Sequence, residues 1–246
     1  MIDLRLFTVI PGPEFYGVFG VMGGNKTKRI VTIGDQLGYG DIKYLAVKPR
    51  NNIRGGEGLD RIIARDNTWI PGMTVPEDDF STATQALDRD LKIQVVIIDE
   101  YHMFEPRALL KFIEETRVRR LHVLFCGLVS DSGGVPFELY PHLSSLVGEN
   151  REDMAGYCKV TPGCNRKASF NQAIFLNGTL VPYDPTARRR KGNVISDKGS
   201  AISEEKIPDI KYIPACSHCF RLPPGAPASP LDYLRTGEEL TKVKRI

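Results

Sequence analysis

The sequence predicts an α/β protein in which a parallel β-sheet, flanked by helices, is joined to a small metal-held lobe. Apolar strands alternate with helices over the first half of the chain, which is the pattern of βαβ units. A glycine-rich loop separates the first strand from the first helix. Four cysteines flank an irregular segment of the second half that lacks long periodic stretches, so a metal rather than a large core is expected to organise it.

The first βα unit is predicted around the glycine-rich loop. Phe15–Gly20 forms an extended segment, and Ile30, Ile33 and Leu37 then repeat at helical spacing. A second strand at residues 44–47 ends in a loop where turn-forming residues accumulate. The order is therefore strand, loop, helix and strand.

A continuously apolar, β-branched segment at residues 93–98 predicts a central strand covered on both faces. Helices are predicted on either side of it, at residues 82–90 and 106–119, and another buried strand at 121–126. The longer helix carries four residues at the helical period: Leu109, Leu110, Ile113 and Arg117. Ligands of such sheets bind beyond the carboxyl ends of the strands, where the glycine-rich loop and an acidic pair both fall.

Composition excludes several function classes. With 246 residues, of which 41% are hydrophobic, the chain can bury one α/β core and a small second lobe. A net charge of +3 is too balanced for wholesale nucleic-acid or membrane binding, and the basic run at 187–191 is interpreted as a solvated loop or a phosphate contact. No apolar stretch approaches about 20 residues and the first residues lack the order of a signal peptide, so a cytoplasmic location is expected.

Residues 20–27 nearly fit the phosphate-loop pattern. In that pattern backbone amides cradle phosphates, a lysine (here Lys26) reaches their charge, and a hydroxyl (here Thr27) binds Mg²⁺. Asn25 stands where the second glycine is expected, although asparagine tolerates positive φ better than most residues. The alternative is a glycine-rich turn that happens to precede a lysine.

The acidic pair Asp99 and Glu100 directly follows the predicted central strand. One carboxylate can hold Mg²⁺ and the other can act as a base toward a hydroxyl. The alternative is a pair of acids favoured by a helix N-terminus. The same residues resemble the acidic box of helicases, but the chain is too short for two motor lobes.

Two cysteine pairs predict a tetrahedral four-thiolate zinc site. The four ligands would be Cys158, Cys164, Cys216 and Cys219. The second pair has standard spacing, whereas the first is wider, so Cys158 is the weaker candidate and His218 is an alternative ligand. Cys126 lies inside a predicted strand and is interpreted as a buried thiol.

Taken together, these motifs resemble the type II, zinc-containing thymidine kinases. The resemblance rests on residues 20–27, residues 97–104, Cys126-Gly127-Leu128 with Pro136-Phe137, and the paired cysteines, and it runs from about residue 14 to residue 220. It implies a P-loop domain of RecA-like topology, a zinc-held lobe whose lasso loop closes over the nucleoside, and a homotetramer. The domains would span 1–155, 156–222 and, as a C-terminal tail, 223–246.

The resemblance also implies roles for individual residues. Glu100 would take the proton from the nucleoside 5′-hydroxyl, and Thr27 and Asp99 would serve Mg²⁺. ATP phosphates would meet Gly20, Gly23, Gly24, Asn25, Lys26, Thr27 and Arg54. The nucleoside would meet Met22, Met103, Leu128, Asn171, Val194, Ile195 and Tyr212.

Several residues depart from the family pattern. Besides Asn25, they are His102 for a glutamine, Val129 for an aspartate, Ser132 for an aromatic and Asn171 for a threonine. The leading hypothesis is ATP-dependent phosphorylation of a pyrimidine deoxynucleoside, thymidine first, in nucleoside salvage. The alternatives are a catalytically impaired nucleotide- or nucleoside-binding protein and, ranked last, a zinc-ribbon nucleic-acid binder.

Overall fold

The computed structural model describes residues 12–52, 60–184 and 210–227. Its first eight strands are β1 (Phe15–Gly20), β2 (Tyr44–Pro49), β3 (Arg61–Ile63), β4 (Trp69–Pro71), β5 (Met73–Val75), β6 (Val95–Ile98), β7 (His122–Leu128) and β8 (Arg151–Met154). The last four are β9 (Gly156–Tyr157), β10 (Lys167–Ala168), β11 (Phe170–Phe175) and β12 (Ile210–Ala215). The α-helices are α1 (Lys26–Tyr39), α2 (Ser81–Arg89), α3 (Pro106–Val118) and α4 (Tyr140–Val147).

Six strands form one sheet in the order β5-β2-β6-β7-β1-β8. Every neighbouring pair in it is parallel. The prediction of an α/β fold is therefore confirmed, and β6 lies inside the sheet between β2 and β7, as its continuous apolar sequence predicted. The carboxyl ends of β1 and β6 lie at the same edge of the sheet because all six strands run in one direction.

Helix α1 and the β3–β4 hairpin cover one face of the sheet. Ile30, Ile33 and Leu37 are fully buried in a cluster with sheet residues such as Ile97, which confirms the helical period predicted for them. Gly34 lets Ile70 of the hairpin pack directly on this helix, because a Cβ at Gly34 would lie 2.8 Å from the Ile70 side chain.

The opposite face is covered by α2, α3 and α4. Leu109, Phe112 and Ile113 of α3 are buried there, whereas Leu110 is 42% exposed. Of the four residues placed at the helical period, Leu109 and Ile113 are therefore buried, whereas Leu110 and Arg117 are exposed. Residues 109, 112, 113 and 116 follow the i, i+3, i+4, i+7 stripe of one helix face, and residue 110 lies one step outside it.

Beyond the large sheet, the chain forms two short antiparallel ribbons, β9–β10 and β11–β12. The last strand of the large sheet ends at Met154 and the first ribbon begins at Gly156. The domain boundary between residues 155 and 156 stays a prediction, as does the start of a tail at residue 223. Among the helices in the described ranges, none is long and apolar enough to cross a membrane.

Candidate active site and cysteine cluster

The glycine-rich loop of residues 20–27, called the phosphate loop below, joins β1 to α1. Gly20 and Gly23 both have positive φ, 152° and 75°. A Cβ at Gly24 would lie 2.5 Å from the carbonyl oxygen of Met154, and one at Gly20 would be closer still. The loop therefore requires glycine at three positions because it turns sharply and packs directly against the end of β8.

Asn25 ends the phosphate loop in a left-handed conformation, with φ 59° and ψ 27°. Its side chain makes no capping hydrogen bond to α1. Asparagine is one of the few residues other than glycine that adopts this conformation at low cost. The substitution thus preserves the backbone path that a glycine would otherwise provide.

Lys26 and Thr27 begin α1, and both are buried, at 8% and 9% exposed. The Lys26 Nζ folds back over the loop and donates to the carbonyl oxygen of Val21 at 2.8 Å. An ammonium group has three donors, so one contact of this kind does not exhaust its hydrogen-bonding capacity.

Asp99 and Glu100 leave β6 at the same edge of the sheet. The Asp99 amide donates to the Val47 carbonyl at 2.9 Å, and its side chain is 1% exposed. Glu100 has φ 50° and ψ 45°, a conformation that costs a non-glycine residue about 1 kcal/mol or more and that is found disproportionately at functional sites.

The phosphate loop and the acidic pair meet around Cys126 on β7. Burial raises the pKa of the Cys126 thiol well above its usual range; Asp99 and Glu100 raise it further, and Lys26 lowers it. The strand register agrees, because β7 lies between β1 and β6 and pairs Gly20 with Leu128 and Ile98 with Phe125. The buried thiol predicted at Cys126 is confirmed.

Lys48, at the carboxyl end of β2, is a site residue that sequence reasoning missed. It is 2% exposed, and its strand neighbours β6, with Val47 opposite Ile98. Burial lowers its pKa, while Asp99 and Asp60 raise it. The predicted strand stopped at residue 47 and assigned this lysine to a loop, whereas β2 continues to Pro49 and buries it.

His102 lies beside Glu100. Its Nδ1 accepts a hydrogen bond from the Leu128 amide at 3.2 Å and lies 3.6 Å from Glu100 Oε2. Burial lowers the pKa of His102 to about 4, with Glu100 opposing and Lys26 reinforcing that shift. The ring is therefore neutral at pH 7 with its proton on Nε2, and its contact with Glu100 is not an ion pair.

The Leu128 backbone is held from both sides. Its amide donates to His102, and its carbonyl oxygen accepts from the Tyr101 hydroxyl at 2.6 Å.

The residues predicted to contact the nucleoside are partly accessible. Met22 and Met103 are half-buried, as is Leu128. Tyr212 on β12 is also half-buried, and burial and then Asp131 raise the pKa of its hydroxyl.

Asn171 on β11 is 2% exposed and is engaged at both ends of its amide. The Oδ1 accepts from the Met22 amide at 2.8 Å, and the Nδ2 donates to the Ser130 carbonyl at 3.1 Å. Asn171 thus contacts the phosphate loop and the segment after β7 through protein groups.

The four cysteines of the predicted metal site come together, with all sulfurs within 4.8 Å of one another. The sulfur of Cys164 lies 3.9 Å from that of Cys216 and 3.8 Å from that of Cys219. A tetrahedral site with Zn–S bonds of about 2.3 Å has sulfurs about 3.8 Å apart, so the geometry fits zinc. Cys158 belongs to the cluster despite its wide spacing, whereas His218 is exposed beside Ser217.

Backbone amides favour a thiolate at the cluster. Burial raises the pKa of Cys216, but the amide and thiol of Cys219 and the amide of His218 outweigh it and lower the pKa to about 6. The pKa of Cys219, which the Thr161 hydroxyl lowers, is raised by Cys216, burial and Cys164 to about 11, so the pair favours one thiolate. Since the thiolate is the metal-binding form of cysteine, this environment also fits a metal.

Comparison with known proteins assigns this arrangement to a family. The model of the thymidine kinase family matches residues 14–220. The chain belongs to the thymidine kinase family. The resemblance predicted from the phosphate loop, the acidic pair and the cysteines is thereby confirmed.

Two curated thymidine kinases match part of this sequence. They come from Francisella tularensis subsp. holarctica (strain LVS) and subsp. tularensis (strain SCHU S4 / Schu 4), and each is 28% identical over 125 residues. The matched region is 51% of this chain and 55% of each relative. The chain therefore spans about half the length of the curated relatives it matches, as a divergent thymidine kinase family member.

Some family positions lie outside the described residues. Arg54, predicted near the phosphates, and Val194 and Ile195, predicted near the base edge, are among them. So are the basic run at 187–191 and most of the predicted tail.

Proposed function

We propose that this protein transfers the γ-phosphoryl group of ATP to the 5′-hydroxyl of a pyrimidine deoxynucleoside, with thymidine as the first candidate. Membership of the thymidine kinase family supports a nucleoside kinase. The observation that carries the proposal is the sheet order: β1, which leads into Lys26, and β6, which leads into Asp99 and Glu100, end at the same edge on either side of β7. A phosphate-binding cation and two carboxylates are the groups that phosphoryl transfer to a hydroxyl requires.

In this proposal Glu100 accepts the proton of the 5′-hydroxyl as the hydroxyl attacks phosphorus. Its side chain is 16% exposed, so it is open to a substrate yet largely desolvated. The neutral His102 beside it brings no positive charge that would lower the basicity of this carboxylate. The left-handed backbone of Glu100 is the kind of costly conformation that is retained at functional sites, which supports a role for this residue.

The phosphate loop would bind the ATP phosphates through Gly20, Gly23, Gly24, Asn25, Lys26 and Thr27, with Arg54 contributing charge. The Thr27 hydroxyl and the Asp99 carboxylate are hard oxygen donors of the kind that Mg²⁺ prefers, so these residues would hold it. When bound, Mg²⁺ supplies charge neutralisation for the transferring phosphates. Catalysis would rest on positioning and charge rather than on a covalent intermediate.

The nucleoside would lie between Met22, Met103 and Leu128, with Tyr212 and the segment containing Val194 and Ile195 closing over it. Asn171 would line this pocket from behind. The four-cysteine cluster would hold a structural zinc that fixes the ribbons of the second lobe. A homotetramer and a cytoplasmic location are parts of the same proposal, and nucleic-acid binding is not.

A second candidate is a nucleotide- or nucleoside-binding protein with impaired catalysis. Two replacements favour it, namely Asn25 in the phosphate loop and His102 in contact with Glu100. This candidate predicts binding of ATP and nucleoside without turnover.

The test is a phosphorylation assay across a panel of nucleosides with ATP and Mg²⁺, using zinc-loaded protein. Glu100→Gln removes the base while keeping the shape of the side chain and should reduce kcat by at least about 100-fold with little change in ATP affinity. Glu149→Gln, at an exposed glutamate, is the matched control and should leave turnover unchanged.

The outcomes separate the two candidates. Turnover that depends on Glu100 establishes the kinase and identifies its preferred base. Nucleotide binding without turnover on any nucleoside supports the binding protein. Equal turnover by wild type and Glu100→Gln contradicts the role of Glu100.

A further inference from the structure

Asn171 lies where three parts of the protein meet. It belongs to the ribbon of β11 and β12, called the lid ribbon below, and pairs across it with Pro214. Its two partners, Met22 and Ser130, belong to the phosphate loop and to the segment of residues 129–136 that follows β7, called the base-side loop below. One side chain therefore bridges segments that are about 40 and 150 residues away in sequence.

The orientation of the Asn171 amide is fixed by its partners. Met22 offers an N–H, which only the amide oxygen can accept, and Ser130 offers a carbonyl, which only the amide nitrogen can meet. Both Asn171 and Ser130 are buried, at 2% and 6% exposed. Loss of the amide would leave the buried Ser130 carbonyl and the half-buried Met22 amide without these bonds, and a buried group left unpaired costs more than the bond contributes on average.

The lid ribbon reaches the phosphate loop at a second point through Pro214. A Cβ at Gly23 would lie 3.9 Å from the Pro214 side chain, so the proline lies beside this glycine with room for about one methyl group between them. The carbonyl of Pro214 also accepts from the Lys159 amide, which ties the ribbon to the cysteine-bearing segment. The paired residues Asn171 and Pro214 thus lie against adjacent residues of one loop.

We propose that Asn171 is a positioning residue that fastens the phosphate loop to the lid ribbon and the base-side loop, so that nucleotide binding and nucleoside binding are energetically linked. The Met22 amide is committed to Asn171. A change of loop conformation on nucleotide binding is therefore transmitted to β11. This inference rests on the proposed function only for the identity of the two ligands.

Amide hydrogen exchange of the zinc-loaded protein without ligands tests the contact itself. In Asn171→Ala, peptides that cover the phosphate loop and the base-side loop should exchange about 5-fold faster or more, because each lost hydrogen bond contributes about that factor. Asn150→Ala is the matched control. The side-chain amide of Asn150 donates to Glu14 over 3.3 Å, and neither residue belongs to these two loops. Unchanged exchange in Asn171→Ala overturns the proposal.

Asn171→Ser is a second variant that controls for a folding defect in Asn171→Ala. It keeps a polar side chain that is too short to meet both partners, and it should give the same local increase in exchange with zinc content unchanged. A uniform increase over the whole chain in both variants would overturn a specific positioning role, since that pattern indicates general destabilisation.

The linkage is measured as the ratio of thymidine Kd without and with the non-hydrolysable analogue AMPPNP and Mg²⁺. We expect a ratio of about 5 or more in wild type, in the range of ordinary couplings, and a ratio near 1 in Asn171→Ala. Equal ratios in the two proteins overturn the linkage. These readouts need no turnover, so an inactive wild type would contradict the proposed kinase while the exchange result still decides the positioning role.

Discussion

The Leu128 amide donates to Nδ1 of His102 across 3.2 Å, so this ring nitrogen is unprotonated in the folded protein. The ring is enclosed on another side by Phe137, with 4.6 Å between ring centroids. Burial in this setting holds the pKa of His102 at about 4, although Glu100 favours the charged form. The site therefore has a neutral imidazole next to the carboxylate proposed as the base.

Acid should destabilise the protein partly through His102. Between pH 6.5 and 4 the unfolded chain binds a proton at this residue and the folded protein does not, so the free energy of unfolding falls as pH falls, by about 3 kcal/mol at most. His102→Gln, which keeps an acceptor for the Leu128 amide, should flatten this dependence in urea unfolding experiments. His142→Gln, at an exposed histidine, should not; equal slopes for all three proteins would contradict the prediction.

Asn25 should tolerate glycine but not valine. Asn25→Gly keeps φ 59° accessible and removes no capping bond, so stability should change by less than about 0.5 kcal/mol and ATP affinity should stay equal or rise. Asn25→Val should lower the free energy of unfolding by about 1–2 kcal/mol and weaken ATP binding, because a β-branched residue is strained in the left-handed conformation.

Asn67 provides the matched control, with φ 66° in the turn between β3 and β4. Asn67→Val should lose similar stability without affecting ATP binding. If Asn25→Val binds ATP as wild type does, the left-handed conformation at residue 25 does not matter to the nucleotide.

Much of the large domain follows from periodicity, and the details that do not follow depend on tertiary contacts. The predicted segments at 15–20, 82–90 and 106–119 differ from the observed elements by no more than one residue at either end. By contrast, β8 and the ribbons were missed, because Glu152 and Asp153 interrupt the apolar pattern and β9–β10 has only two residues per strand. These elements are stabilised by pairing with distant strands and by the cysteine cluster.

The candidate site was predictable as motifs but not as contacts. Glycine spacing and the acidic pair identify the phosphate loop and Glu100 from sequence alone. Nothing local in the sequence of β11 indicates that Asn171 bonds a residue 149 positions away, and the burial of Lys48 depends on its neighbouring strand. Long-range hydrogen bonds of this kind require the fold to be known.

Gly24 should not tolerate alanine. The new Cβ would lie 2.5 Å from the Met154 carbonyl oxygen and 3.1 Å from that of Val21, which are backbone atoms at the end of β8 and in the loop itself. Gly24→Ala should therefore lose about 1–3 kcal/mol of stability and impair ATP binding. The control is Gly38 in the last turn of α1, where an added Cβ would meet open space. Gly38→Ala should therefore raise the free energy of unfolding by about 0.5–1 kcal/mol. Equal stabilities of the two variants would contradict the close packing of the loop.

Loss of one cysteine of the cluster should release the metal. Cys216→Ser should abolish stoichiometric zinc in elemental analysis and raise proteolytic sensitivity of the second lobe, because metal binding contributes to folding directly. Cys126→Ala, which removes a thiol outside the cluster, should retain zinc. Retention of zinc by Cys216→Ser would exclude the four-thiolate site.

The most direct test of the proposed function is identification of the product by phosphorus NMR after incubation of the zinc-loaded protein with ATP, Mg²⁺ and thymidine. We predict that ADP and thymidine 5′-monophosphate appear in equal amounts, and that 5′-deoxythymidine, which lacks the attacking hydroxyl, gives no product. Unchanged ATP with a folded, nucleotide-binding protein, or a phosphate on the 3′-hydroxyl, would contradict the proposed reaction.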